Sequence, residues 1–192
     1  MSGPEVSSEL WRDDIVTLIG YRGCGKSTVG RQLAQRLGWE FIDTDERIEQ
    51  QAGCTIREIF ERDGEAAFRK LEIEVLENAL AGTRRVIAAG GGAVLARRNR
   101  KAMRSSSACI WLTAPPDELL ARLSVDDRTA TQRPSLTGDD ALEEIEAVLF
   151  ERLPVYEATA DHVISTAGQS IDAVVEAVLD YLRVGERRTD GA

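Results

Sequence analysis

A short apolar run that stops at a glycine, continues into a glycine-rich loop and then opens a helix restricts this chain more than any other stretch of it. Ile15 to Ile19 reads IVTLI, and GYRGCGKST, from Gly20 to Thr28, follows without a break. The run is short and rich in β-branched residues, which is the signal of a strand buried on both faces. The loop spells GxxxxGKS, a phosphate-binding pattern. Its glycines let backbone N–H groups turn toward an anion, and the helix opening near Lys26 adds its positive end. Gly23, Cys24, Gly25, Lys26, Ser27 and Thr28 are therefore expected to bind a nucleoside triphosphate. Lys26 would reach its β- and γ-phosphates, and the Ser27 hydroxyl would take Mg²⁺. An incidental turn after a strand is the alternative, and the order strand, loop, helix argues against it. Cys24 is expected to be a small side chain turned away from the ligand.

Further apolar runs at residues 40–42, 86–89, 108–112 and 162–165 alternate with helical patterns. Leu142, Ile145, Leu149, Leu153 and Tyr156 recur every three or four residues, as do Ile171, Val174, Val175, Val178, Leu179 and Leu182. Five buried strands separated by helices predict an α/β fold, a parallel sheet covered on both faces. Ligands in such folds bind beyond the carboxyl ends of the strands, so chemistry should follow each strand. Residues 15–184 form the expected single domain. Residues 1–14 read as a loose polar lead-in and residues 185–192 as a frayed tail.

The second strand leads into Asp43-Thr44-Asp45. In extended chain, positions i and i+2 face the same way, which would turn both carboxylates into the cleft. Asp43 would orient a water on Mg²⁺, and Asp45 would hold or deprotonate an acceptor hydroxyl. The competing role is a helix N-cap, for which one carboxylate suffices. Glu65, Arg69 and Glu72 share a helix face by their spacing, which by itself reads as a surface salt-bridge stripe. Gly90-Gly91-Gly92 ends the third strand, either as a flexible turn or as backbone open to a ligand. Residues 96–101 (ARRNRK) read as a solvated helix face. Residues 128–138 (RTATQRPSLTG) read as a mobile loop, whose arginine is either a surface charge or a group that closes over a phosphate.

Composition removes other classes. With 24 Lys and Arg against 33 Asp and Glu the formal charge is −9, which opposes a broad nucleic-acid surface. Three cysteines without a CxxC pair point to a reducing compartment rather than a disulfide framework or zinc site. No basic start with an apolar run marks a signal peptide, and no run reaches the ~20 residues of a membrane span. A cytoplasmic protein without nucleic-acid or membrane partners is expected.

Taken in order, GYRGCGKST, FIDTD, IFERDGEAAFRKLE, AAGGGAV, QRPSLT and ERLPVYE closely resemble the shikimate kinases over residues 15–182. The phosphate loop is widely shared, whereas DTD, FRxxE, GGG, RP and RxPxY together are far more specific. The resemblance implies a P-loop, nucleoside-monophosphate-kinase-like three-layer sandwich with five parallel strands in the order 2-3-1-4-5. It implies transfer of the γ-phosphoryl of ATP to the 3-hydroxyl of shikimate with Mg²⁺, in chorismate and aromatic amino acid biosynthesis, by a monomer. By the same resemblance Asp45, Arg69, Gly91 and Arg152 would bind shikimate, and the two arginines would grip its carboxylate. Glu72 would orient Arg69, and Phe60 and Phe68 would pack beside the ring. Arg133 would be the lid arginine near the phosphates, and Gln169 would lie beside the adenine. Residues 124–132 run longer than the compact lid approach of many members, so a second adenine-contacting arginine is open between Arg122 and Arg128.

Overall fold

The computed structural model describes residues 14–125 and 141–189. The strands are β1 (Ile15–Ile19), β2 (Glu40–Asp43), β3 (Arg85–Ala88), β4 (Ala108–Thr113) and β5 (His162–Ser165). The helices are α1 (Lys26–Leu37), α2 (Thr44–Ala52), α3 (Ile56–Leu80), α4 (Arg97–Ser106), α5 (Pro116–Val125), α6 (Ala141–Glu157) and α7 (Ile171–Thr189), with a 3-10 turn at Ala93–Leu95. The strands form one parallel sheet in the order β2-β3-β1-β4-β5. This is the expected α/β topology. It places the loops after β1, β2 and β3 side by side at one sheet edge.

Alternation along the central strands sorts the core onto two faces. Val16, Leu18, Ile110 and Leu112 pack on one face with Leu33 of α1 and Val175 and Val178 of α7. Ile15, Ile19, Ile87 and Trp111 pack on the other with Leu76 of α3, Met103 of α4 and Tyr156 of α6. Thr17 is buried among the apolar side chains of β1, and its hydroxyl donates to Ser107 Oγ at 2.8 Å, which in turn donates to Met103 O. A buried hydroxyl satisfied in this way escapes the cost of losing water. A third cluster, Ile48, Ile56, Ile59, Phe68 and Val75, joins α2 to α3 and builds a lobe beside the sheet.

Local signals explain the helix boundaries. Thr55 and Glu58 form a reciprocal capping box at the start of α3. Inside that helix Gly64 adopts φ 81° and ψ 173°, a conformation side-chain-bearing residues avoid, and the helix kinks there. The kink separates the lobe segment carrying Phe60 from the segment carrying Arg69 and Glu72.

Three expectations need correction. Asp43-Thr44-Asp45 is not one extended stretch, because α2 already begins at Thr44. β2 and β5 are not buried strands: only Ile42 and Ile164 are buried in them, since an edge strand has a neighbour on one side alone. The last helix runs to Thr189, into the segment read as tail, where Glu186, Arg187 and Arg188 are good helix formers. The basic run after the glycines opens α4. There Arg98 pairs with Glu77, and Arg100 donates to the carbonyls of Val94 and Leu95. Among the described residues no helix is long and apolar enough to cross a membrane.

Candidate active site

The loop from β1 to α1 has the properties of an anion cradle. Gly25 is the N-cap of α1 with φ 94°, no side chain caps the helix, and its first turn carries no acid. The N–H groups and the positive end of the helix dipole are thus left for a ligand. Lys26 Nζ donates to Gly20 O and Tyr21 O, both at 2.9 Å, and so lies over the loop it belongs to. Cys24 is fully buried in the core, in keeping with a small packing side chain.

Asp43 caps α2 and also meets the phosphate loop. Its Oδ1 accepts from the backbone N–H of Asp45 at 3.0 Å and of Glu46 at 3.3 Å, capping α2. Its Oδ2 accepts from the Ser27 hydroxyl at 2.6 Å. One carboxylate has two oxygens, and each has its own task. Asp45 sits in the first turn of α2, beside the glycine turn. A cavity of about 490 Å³ is lined by both aspartates, the loop from Arg22 to Thr28, Gly91, Arg122 and Gln169.

The glycine turn after β3 is fixed by hydrogen bonds. Ala89 N donates to Leu18 O, and Gly90 N donates to the buried Thr44 hydroxyl at 2.9 Å. Gly91 O accepts from Arg152 Nη1 at 3.1 Å and from the Tyr156 hydroxyl at 2.7 Å. Tyr156 is buried and stacks on Trp111, and burial pushes its phenol well above the ordinary value. The glycines are therefore a held platform rather than a flexible turn.

Arg69 stands at this platform between two carboxylates, Glu72 at 2.9 Å and Glu65 at 3.1 Å. The Glu72 side chain is only 1% exposed, whereas that of Glu65 is 66% exposed. Burial pulls the Arg69 guanidinium down, but Glu72 and then Glu65 outweigh it and hold it above its ordinary value. Phe68 is fully buried, with Arg69 over its ring and Phe60 against it at a centroid distance of 4.7 Å. Phe60 is the partly exposed member of this pair.

At the far end of the cavity Arg122 ties three segments together. It donates to Gly23 O in the phosphate loop, to Glu118 on its own helix, and to Thr166 Oγ1 and O after β5. Gln169 lies in the same turn and donates to Ser165 O. Arg133 and Arg128 fall outside the described residues. The sequence assigned no role to Thr44 or Tyr156. Tyr156 carried usable signals in the apolar periodicity of its helix and in its i+4 spacing from Arg152.

Cations at the phosphate loop, a carboxylate at the glycine turn and two guanidiniums beyond it suit phosphoryl transfer to an anionic acceptor. Such transfer depends on positioning and charge neutralisation. Known proteins agree. The family model described as shikimate kinase matches residues 22–183. A shikimate kinase of Rhodopirellula baltica is 43% identical over 162 residues, 84% of this chain and 87% of that one. One of Oleidesulfovibrio alaskensis is 45% identical over 167 residues, 87% and 96% of the two chains. The shikimate kinase of Acinetobacter baumannii, solved in complex with shikimate, superposes with a TM-score of 0.82 at 33% identity, covering 89% of this chain and 93% of that one. The chain belongs to the shikimate kinase family.

Proposed function

We propose that this protein transfers the γ-phosphoryl group of ATP to the 3-hydroxyl of shikimate, giving shikimate 3-phosphate and ADP. The observation that carries this is the platform at Gly90–Gly92, where Asp45, Arg69 and Arg152 gather beside a phosphate loop. Arg69 and Arg152 bind the acceptor's carboxylate, a task that suits the planar guanidinium fork. Phe60 and Phe68 back the ring, Glu72 orients Arg69, and Gly91 offers backbone. Asp45 accepts the proton of the attacking hydroxyl and aligns its oxygen. Lys26 and the N–H groups from Gly23 to Thr28 neutralise the β- and γ-phosphates, and Arg133 adds charge from the lid. Gln169 and Arg122 border the adenine.

Ser27 Oγ and Asp43 Oδ2 supply adjacent hard oxygen donors, the type that Mg²⁺ takes alongside phosphate oxygens and waters. Ser27 would ligate the ion and Asp43 would orient its waters. When bound, the ion offsets phosphate charge. We take the protein to be a cytoplasmic monomer that serves the route to chorismate and aromatic amino acids.

The test is a coupled ADP-release assay with ATP, Mg²⁺ and shikimate, omitting each in turn. Release should require all three. Efficient turnover of gluconate with none of shikimate would overturn the assignment, and ATP binding without shikimate-dependent release would mark an inactive module.

A further inference from the structure

None of Gly90, Gly91 and Gly92 adopts a positive φ, so backbone freedom does not explain three glycines in a row. Side-chain proximity explains two of them. A Cβ placed on Gly90 would lie 2.5 Å from Asp45 Oδ1 and 3.3 Å from Glu72 Oε1. A Cβ placed on Gly92 would lie 2.7 Å from Arg69 Nη1 and 3.2 Å from Nη2. One on Gly91 would meet nothing closer than 3.5 Å, an ordinary contact.

We propose that Gly90 and Gly92 are positioning residues with separate duties: the missing side chain at Gly90 seats the Asp45 carboxylate, and the missing side chain at Gly92 seats the Arg69 guanidinium. This rests on the roles assigned above to Asp45 and Arg69. The chemistry of the obstructed atoms divides these glycines from those that serve the fold. At Gly20 the same added carbon would strike Leu112 O at 2.2 Å, and a strand backbone cannot move aside. At Gly90 and Gly92 it would strike the ends of side chains, which can move at little cost to the fold. The displacement then falls on the groups that work. Reaching the 3.4 Å of ordinary contact takes Asp45 Oδ1 about 0.9 Å away and Arg69 Nη1 about 0.7 Å away. Functional groups must hold within ~0.5 Å of productive geometry, and a 1 Å misplacement can cost on the order of 10²-fold.

The two displacements predict different kinetic signatures. Gly92→Ala should raise the KM for shikimate on the order of tenfold or more, with the KM for ATP and the melting temperature close to the parent's. Gly90→Ala should lower kcat on the order of 10²-fold, with a smaller change in either KM. A double-mutant cycle guards against a folding artefact. If Arg69 is what the Cβ meets, adding Gly92→Ala to Arg69→Ala should change neither melting temperature nor calorimetric shikimate affinity further. Should Gly92→Ala alone fail to fold, the Arg69→Ala background should restore folding. The proposal is overturned if both glycine variants keep parental constants, if both lose kcat and affinity in parallel with stability, or if the cycle is additive. Arg69→Ala with an unchanged shikimate KM would instead refute the role given to Arg69, a separate failure.

Discussion

Tyr156→Phe removes one hydroxyl at the centre of the platform. The ring is buried and stacked on Trp111 at 5.4 Å, and phenylalanine keeps that packing. The 2.7 Å bond to Gly91 O is lost, together with the contact between the phenol oxygen and Arg152. Gly91 O still accepts from Arg152 at 3.1 Å, so no buried acceptor is orphaned and the cost should stay near 1 kcal/mol. In a chain of this size that lowers the melting temperature by about 2–4 °C. If all of it appeared as lost acceptor binding, the shikimate KM would rise about fivefold, which sets the upper bound. The pH dependence gives a second reading. Burial raises the Tyr156 phenol, against the opposing pull of Arg152. The folded protein therefore keeps a proton that the unfolded chain gives up near pH ~10. Stability linked to that proton is complete below pH ~10 and drains above it, by up to about 1.4 kcal/mol per pH unit. Phenylalanine has no such proton, so the stability gap between the proteins should narrow above pH ~10. Cys109, also raised by burial, acts alike in both and cancels. Urea unfolding across that range, with the ADP-release assay at neutral pH, measures both effects. A variant equal to the parent in melting temperature and shikimate KM, with a pH-independent gap, would refute the anchoring role.

Other substitutions separate the remaining parts. Lys26→Ala should reduce kcat on the order of 10²–10³-fold in the same assay, with the fold intact by circular dichroism. Asp43→Ala should lose about 0.5–2 kcal/mol with the α2 cap and also raise the Mg²⁺ requirement. Asp43→Ser retains a capping oxygen and should keep most of the stability while still needing more Mg²⁺, measured by titrating the metal at fixed ATP. Arg122→Ala should raise the KM for ATP more than that for shikimate, because Arg122 fastens the phosphate loop to the turn carrying Gln169.

What the sequence made legible was local. The strand, loop and helix around Lys26 follow one another within a few residues, and periodicity marks α6 and α7 directly. Asp43 was half legible. Capping and metal orientation looked like rival uses, whereas the cap occupies one oxygen and the other meets the Ser27 hydroxyl, so the cap does not exclude the second use. The Glu65-Arg69-Glu72 face was readable from spacing, but the burial of Glu72 was not, because Glu72 lies against the distant glycine turn at Gly90. Thr44 and Tyr156 act on Gly90 and Gly91 across 46 and 65 residues, a separation that no local pattern encodes. The exposed face of β5 was misjudged for a related reason: Val163 is as apolar as a central-strand residue, and only its place at the sheet edge leaves it 46% exposed.

The arginine we propose for an anionic acceptor is held here by two anions, and their unequal burial resolves the difficulty. Glu72 is buried, so its pairing with Arg69 is fixed in place and orients the guanidinium. Glu65 is exposed on the same helix, and exposed pairs at this spacing contribute only about 0.3–0.5 kcal/mol. An incoming carboxylate can therefore replace Glu65 at small cost and leave Glu72 undisturbed. Before the acceptor arrives, Glu65 keeps a cation compensated in a protein whose net charge is −9. Glu65→Gln should then leave the shikimate KM unchanged or slightly lower, whereas Glu72→Gln should raise it severalfold by releasing Arg69 from its orientation. Equal effects from the two substitutions in the ADP-release assay would refute this division, since a simple salt-bridge stripe predicts no difference between its two acids.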